Sequence, residues 1–231
     1  MNIIDKIYYI NLDRRPDRNE HFLKECLKHN IPYNKIERFT AIDGQTYNFS
    51  LDERNFFKKV DYINKSYANN IIGNQLSHYN ILLNMINNNY KYIIIFQDDI
   101  ILKNNFINYL ENVMNNIPDN AEIINIAFHQ FASYNTFIPW DLKQDVEEKK
   151  MAKQNINDYI CVLNNTVNPC SLGYIVTLKG AKNLIFYFKK NGFLRATDWN
   201  YNDYLNKKNI FYGSRIVLAT GDPTLGSDIF L

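Results

Sequence analysis

Two adjacent acids, Asp98 and Asp99, carry the strongest chemical signal in the sequence, because they follow its most apolar run, residues 92–96. In open α/β sheets, ligands bind outside the carboxyl ends of the strands. Two carboxylates placed there repel each other and lose hydration. A divalent cation such as Mn²⁺ or Mg²⁺ relieves both costs, since it prefers carboxylate together with phosphate oxygens. The alternative is a turn in which one aspartate caps a helix that begins near Asn105.

Three arginines, Arg14, Arg15 and Arg18, follow the first predicted strand in a segment that begins at Asn11. Guanidinium groups beside a strand end can neutralise a pyrophosphate through bidentate hydrogen bonds. The same pattern is also typical of an exposed, charged first turn of a helix. The segment therefore leaves a phosphate site and a solvated helix start open.

A glycine, Gly73, opens a predicted helix that carries Ser77 and His78. Backbone N–H groups at such a helix start can hold an anion or a sugar hydroxyl. The alternative is ordinary capping, with His78 packed inside the fold.

Trp140 and Trp199 are the two tryptophans of the chain, and Trp199 follows an acid, Asp198. Flat indole faces suit the C–H surfaces of sugars. Core packing with a bonded indole N–H is the alternative for both residues.

The elements that would position these residues alternate between short β-rich runs and helical periodicity, which predicts an α/β fold. Strands are predicted at residues 6–11, 36–42, 92–96, 122–128, 173–177 and about 216–219. The apolar stripes of the predicted helices are Phe22, Leu23, Cys26 and Leu27; Leu76, Tyr79, Leu83 and Ile86; Phe106, Leu110 and Val113; and Ala181, Leu184, Ile185 and Phe188. Residues 129–158, with mixed aromatics and a charged run, are interpreted as a flexible loop or flap.

Length and composition indicate a single domain over residues 1–231, with 46% hydrophobic residues to form a core. A net charge of +2 does not predict a nucleic-acid partner. No apolar run is long enough for a membrane span, and the N-terminus is a poor signal peptide, so a cytoplasmic location is expected. The three cysteines show no disulfide framework or zinc spacing. Oligomeric state is not predicted.

Several motifs, taken in their order along the chain, resemble glycosyltransferase family 25, which includes lipooligosaccharide glycosyltransferases and collagen hydroxylysine galactosyltransferases. The opening segment 7–18 resembles the start of the family's domain, and residues 96–99 resemble its glutamate-aspartate-aspartate metal motif. Further matches lie at residues 39–44, 73–78, 173–181, 198–199 and 227–229.

The resemblance implies a GT-A type fold, with a Rossmann-like mixed sheet flanked by helices. It also implies a UDP-sugar donor, an Mn²⁺ or Mg²⁺ cofactor, inversion at the anomeric carbon, and a glycan or a glycosylated or hydroxylated protein as acceptor. On this hypothesis the residues divide by role as follows: Asp98 and Asp99 for metal and diphosphate, Asn11, Arg14 and Arg18 for the nucleotide, Gly73, Ser77 and His78 near the donor sugar, Asp198 as general base, and Asp228 or Asp222 in reserve.

The sequence departs from the family pattern at Gln97, where the family usually has glutamate. Glutamine keeps a hydrogen-bond acceptor but removes one negative charge. A non-catalytic module that binds a nucleotide sugar or glycan on a degenerate transferase fold is therefore the alternative function. A metal-dependent phosphohydrolase would need Asp13 as nucleophile, and the residues after it do not form a phosphate loop.

Overall fold

The computed structural model describes residues 1–57, 65–128, 130–133, 136–138, 151–164 and 170–229. Its strands are β1 (Lys6–Asn11), β2 (Ile36–Thr40), β3 (Tyr92–Gln97), β4 (Ile100–Leu102), β5 (Ile123–Asn125), β6 (Gln130–Ser133), β7 (Thr136–Ile138), β8 (Ala152–Asn155), β9 (Ile160–Leu163), β10 (Gly173–Thr177), β11 (Tyr212–Ser214) and β12 (Ala219–Gly221). Its α-helices are α1 (Pro16–Lys28), α2 (Leu51–Phe56), α3 (Ala68–Asn87), α4 (Phe106–Asn115), α5 (Leu178–Asn191) and α6 (Thr197–Lys207).

One mixed sheet of eight strands organises the molecule, in the order β2-β1-β3-β10-β5-β11-β9-β8. Strand β3 is parallel to β1 and antiparallel to β10, so the most apolar run lies inside a mixed sheet rather than a purely parallel one. Residues 93–96 of β3 are fully buried. The predicted α/β class with a mixed sheet and flanking helices is confirmed.

Helices cover both faces of the sheet because successive strand residues point to opposite sides. On β1, the ring of Tyr9 stacks on Phe22 of α1, with the ring centroids 4.1 Å apart. Its neighbour Tyr8 donates a hydrogen bond from its hydroxyl to Asn84 Oδ1 of α3, at 2.8 Å. Helices α3, α5 and α6 pack together on the Tyr8 side. None of the described helices combines the length and apolarity needed to cross a bilayer.

Helix α1 begins at Pro16, whose missing N–H is not needed at the first helical position. The buried face differs from the predicted stripe. Phe22 and Cys26 are buried as expected, but Leu27 is 78% exposed. The helix buries Arg18 and Glu25 instead of Leu27, so two charged residues belong to its inner face.

Helix α3 corrects the prediction that Gly73 opens a helix, because the helix begins at Ala68 and Gly73 lies in its second turn. The glycine is required for packing instead. A Cβ built on Gly73 would overlap the backbone carbonyl oxygen of Ile42, in the loop that follows β2.

Gly73→Ala should therefore lower the free energy of unfolding by about 1–3 kcal/mol, as overpacking does. At an ordinary interior helix position the same change stabilises by up to about 1 kcal/mol. Urea unfolding of Gly73→Ala, beside Asn87→Ala at the exposed end of the same helix, measures the sign. A more stable Gly73→Ala protein would contradict this packing.

The described part of the predicted flap, residues 129–158, contains strands rather than loop. Strands β6 and β7 form an antiparallel hairpin, and β8 pairs with β9 at the edge of the main sheet. Residues 129, 134–135 and 139–150, with Trp140, lie outside the described residues. A strand is predicted near residues 216–219, but the observed strand, β12, starts only at Ala219. It pairs with β4.

Candidate active site

A cavity of about 630 Å³ lies at the edge of the sheet where β1, β2 and β3 end. Its other walls are the first two turns of α3, the segment before β10, the first turn of α6 and the C-terminal segment that begins at Asp222. This is the edge where the sequence places a ligand site. Of the predicted site residues, the cavity lining includes Arg14, Arg18, Asp98, Asp99, Asp198, Asp222 and Asp228.

Asp98 is buried, and both of its carboxylate oxygens are engaged. Oδ2 accepts a hydrogen bond from Asn11 Nδ2 at 2.7 Å, and Oδ1 accepts one from Arg18 Nη1 at 2.9 Å. Burial raises the pKa of Asp98, the Arg18 charge lowers it, and neighbouring Asp99 raises it. Asp98 thus anchors Arg18 and Asn11, which also explains why Asn11 is buried at the end of β1.

Asp99 differs from its neighbour because its Oδ1 atom is buried and has no hydrogen-bond partner among the described residues. Its Oδ2 atom lies 3.5 Å from Arg18 Nη1. Burial is the main cause that raises the pKa of Asp99; the Arg18 charge opposes this shift, and the negative charge of Asp222 adds to it. The segments that carry these two residues meet directly, since the Asp222 N–H donates to the Asp99 carbonyl at 2.6 Å. A carboxylate oxygen without a donor is suited to a cation.

The implied metal fits Asp99 better than Asp98. Asp98 would have to give up Arg18 or Asn11 to bind an ion, whereas Asp99 has an unused oxygen. Among the described residues, no group of three or more His, Cys, Asp or Glu side chains is arranged to hold a metal. Mg²⁺-type sites often use one or two carboxylates, with waters and substrate phosphates completing the shell.

Three arginines hold the C-terminal segment against the cavity. Arg14 Nη1 and Arg15 Nη1 donate to the two oxygens of Asp228. Arg14 Nε also donates to Asp43 Oδ2 at 2.8 Å. Arg18 Nη2 donates to the carbonyl of Gly226. These paired acids raise the pKa of Arg14 despite partial burial. Both oxygens of Asp228 already accept from arginines, so an acceptor hydroxyl would have to displace an arginine there.

Gly73, Ser77 and His78 do not line the cavity, although the resemblance places them near a donor sugar. Ser77 Oγ accepts from the Ile42 N–H at 2.9 Å and donates to the Gly73 carbonyl at 2.8 Å. Ser77 therefore positions the loop after β2, and that loop lines the cavity. Burial lowers the pKa of His78 to about 3, so the ring is neutral.

Asp198 lies in the first turn of α6, on the cavity lining. Trp199 is 38% exposed and is not part of that lining. Its ring faces Arg195, whose guanidinium carbon is 5.6 Å from the ring centroid. Cys170 also lines the cavity, but burial and the Asp198 charge raise the pKa of its thiol well above the ordinary value. A thiol of this kind is a poor nucleophile.

Sequence reasoning missed two parts of this site. Arg15 was grouped with the other arginines but not assigned a site role, and the structure places it on Asp228. The sequence assigns no site role to Asp43, and the structure pairs it with Arg14. The signal for Asp43 was its position in the segment 39–44, which resembles a family motif.

The chain belongs to glycosyltransferase family 25, since the sequence profile described as "Glycosyltransferase family 25 (LPS biosynthesis protein)" matches residues 4–201. It is similar to procollagen galactosyltransferase 2 of Homo sapiens, with 26% identity over 192 residues, covering 78% of this chain and 27% of the relative. A glycosyltransferase 25 family member of Drosophila melanogaster is 27% identical over 190 residues, covering 79% of this chain and 28% of the relative.

A third relative is named probable inactive glycosyltransferase 25 family member 3, from Bos taurus. It is 23% identical over 191 residues, covering 78% of this chain and 28% of the relative. The chain thus spans little more than a quarter of the length of these relatives.

Proposed function

We propose that this chain is an inverting glycosyltransferase, which uses a divalent cation to move a hexose from a UDP-sugar to a hydroxyl of a glycan or protein acceptor. The observation that carries the proposal is the charge of the cavity. Of the described residues that line it, six are aspartates and two are arginines. A diphosphate is repelled by such a wall unless a cation joins the two.

In the proposed site, Asp99 would hold an Mn²⁺ or Mg²⁺ ion beside the donor diphosphate. Such an ion would supply positive charge for the UDP leaving group as the glycosidic bond breaks. Arg18, fixed by Asp98 and the Gly226 carbonyl, adds positive charge beside this position. Arg14 is the second cation on the lining. A mixed sheet with acids at a strand end, flanked by helices, is compatible with a GT-A fold.

Inversion requires one in-line attack on the anomeric carbon by an acceptor hydroxyl. The hydroxyl oxygen forms the new bond, the UDP oxygen takes the electron pair of the old one, and a general base removes the hydroxyl proton. Asp198 is the proposed base, because it lines the cavity from α6 rather than from the strand end that holds Asp98 and Asp99. Asp228 is less suited, since both oxygens already accept from arginines.

Relatives named procollagen galactosyltransferases make UDP-galactose the first donor to test, with a hydroxylysine peptide as acceptor. The family description makes a lipopolysaccharide-type glycan the second acceptor. The alternative is a module that binds the nucleotide sugar without transferring its hexose. This alternative is worth testing because one relative is named a probable inactive glycosyltransferase 25 family member. Donor binding with neither transfer nor donor hydrolysis across both acceptors would favour that alternative.

Asp198→Asn should lower the transfer rate by about 10²–10⁴-fold, the usual contribution of a positioned general base, while the donor KM stays within a few fold. Radiolabelled hexose transfer measures both quantities. The matched control is Asp203→Asn, on the same helix with a half-exposed side chain. A transfer rate for Asp198→Asn equal to that of the control would remove Asp198 from the role of base.

A further inference from the structure

The side chain of Gln97 ends a buried chain of hydrogen bonds. The Tyr174 hydroxyl of β10 lies 2.6 Å from His78 Nδ1 of α3. On the other side of the ring, His78 Nε2 lies 3.0 Å from the amide nitrogen of Gln97 at the end of β3. Tyr174 and His78 are each 2% exposed, whereas Gln97 reaches the cavity lining. The chain therefore connects the core to the wall of the candidate site.

With the Gln97 amide nitrogen placed against the ring, donor and acceptor chemistry sets the direction of this chain. An amide nitrogen offers only hydrogens, so His78 Nε2 must accept, and the ring proton resides on Nδ1. The Nδ1–H then donates to the Tyr174 oxygen. Burial keeps the ring neutral, so this arrangement holds through the physiological pH range. His78 therefore holds the nitrogen end of the Gln97 amide and turns the other end of the amide away from the ring.

The end that turns away is the carbonyl oxygen. No described residue donates a hydrogen bond to it, and it is not among the buried unpartnered atoms. The Gln97 N–H donates to the Leu172 carbonyl at 2.8 Å, which fixes the backbone beside Asp98. A fixed, neutral acceptor is thus presented at the cavity wall.

We propose that Gln97 binds a hydroxyl of the nucleotide sugar through its carbonyl oxygen, and that His78 and Tyr174 are positioning residues that orient its amide. This inference rests on the proposed function. It also accounts for the departure from glutamate at this position. A glutamate could accept from Nε2–H after a change of His78 tautomer, with the Tyr174 hydroxyl donating to Nδ1. Glutamine also contacts His78 Nε2, through its amide nitrogen, and it adds no charge to a wall that already carries six aspartates.

The test measures UDP-hexose affinity by calorimetry in Mn²⁺ for the wild-type protein and four variants. Gln97→Met and Tyr174→Phe should each weaken binding by about 3–10-fold, the loss of one neutral hydrogen bond. Their double variant should be no weaker than either single variant, because both remove the same contact. The matched control is Tyr8→Phe, which removes another buried tyrosine hydroxyl bonded to α3, away from the cavity.

The outcomes separate the two claims. Wild-type protein that binds no UDP-hexose overturns the proposed function, and this inference with it. Wild-type binding with Gln97→Met unchanged overturns the inference alone, even where Tyr174→Phe fails to fold. Losses that add fully in the double variant, or a Tyr174→Phe affinity equal to that of Tyr8→Phe, overturn the positioning role of His78 and Tyr174.

Discussion

Replacing Arg18 by methionine should lower the free energy of unfolding by about 3–5 kcal/mol, the usual result of breaking a buried ion pair. The Arg18 side chain is 8% exposed and that of Asp98 is 5% exposed, with 2.9 Å between Nη1 and Oδ1. The substitution leaves the buried Asp98 carboxyl without its cation and with a hydrogen bond from Asn11 alone. It also removes the donor to the Gly226 carbonyl, so the C-terminal segment is held less firmly.

Urea unfolding measures this change, with Lys24→Met as the matched control on the same helix. Lys24 pairs with Glu20 at 2.7 Å, but both side chains are well exposed, so losing this pair should change the free energy of unfolding far less. Arg18→Lys should recover little, because an ammonium lacks the planar fork that reaches Asp98 and Gly226 together. Equal losses for Arg18→Met and Lys24→Met would show that Arg18 is not the internal anchor of the site.

Asp99→Asn should abolish cation-dependent donor binding and lower transfer by at least about 10²-fold, because it removes the carboxylate proposed to hold the ion. Its stability should be unchanged or higher. Because burial raises the pKa of Asp99, its charged carboxylate destabilises the folded protein at pH values above that pKa. The neutral amide of Asn removes this cost. The cost for wild type is relieved as pH falls and Asp99 takes up a proton.

The same shift predicts a pH dependence. Cation binding should begin to weaken at a pH above the ordinary aspartate range of about 3.9 as the solution is acidified, because protonated Asp99 cannot bind the ion. Titration with Mn²⁺ and UDP-hexose, together with thermal melting, checks both parts. Asp203→Asn again serves as the exposed control. Asp99→Asn protein that retains cation-dependent transfer would exclude Asp99 as the metal residue.

The parts of the fold that the sequence predicts well are those with a long, one-sided or fully apolar pattern. Strands β1, β3 and β10 and helices α1, α4 and α5 are of this kind. The starts and ends of elements were less predictable. Helix α3 begins after Tyr67 without a side-chain cap, so the sequence carries no capping signal at its true start, and the glycine signal at Gly73 points to a start that lies inside the helix.

Short strands escaped prediction because their partners are distant in sequence. Strand β4 follows Asp99 directly and has only three residues, and its pairing with β12 depends on a segment more than a hundred residues away. Strands β9 and β11 pair with each other, and each is three or four residues long. Such pairs are fixed by tertiary packing rather than by local periodicity.

The location of the candidate site followed from a general rule, but its internal contacts did not. Asp98, Asp99, Arg14 and Arg18 could be placed at one sheet edge from the order of strands. The Asp98–Arg18 pair and the contacts of Asp228 with Arg14 and Arg15 depend on side chains that lie far apart in the sequence. The structure thereby separates two acids, Asp98 and Asp99, that the sequence treats alike.

Calorimetric titration of the intact chain with UDP-galactose and UDP-glucose, in Mn²⁺ and in chelator, tests the central claim most directly. A cavity lined by six aspartates and two arginines should bind a UDP-hexose with measurable heat in Mn²⁺ and lose that heat in chelator. Binding that is equally tight in chelator would contradict the role given to the cation. Absence of heat with either donor in Mn²⁺ would contradict the proposed site.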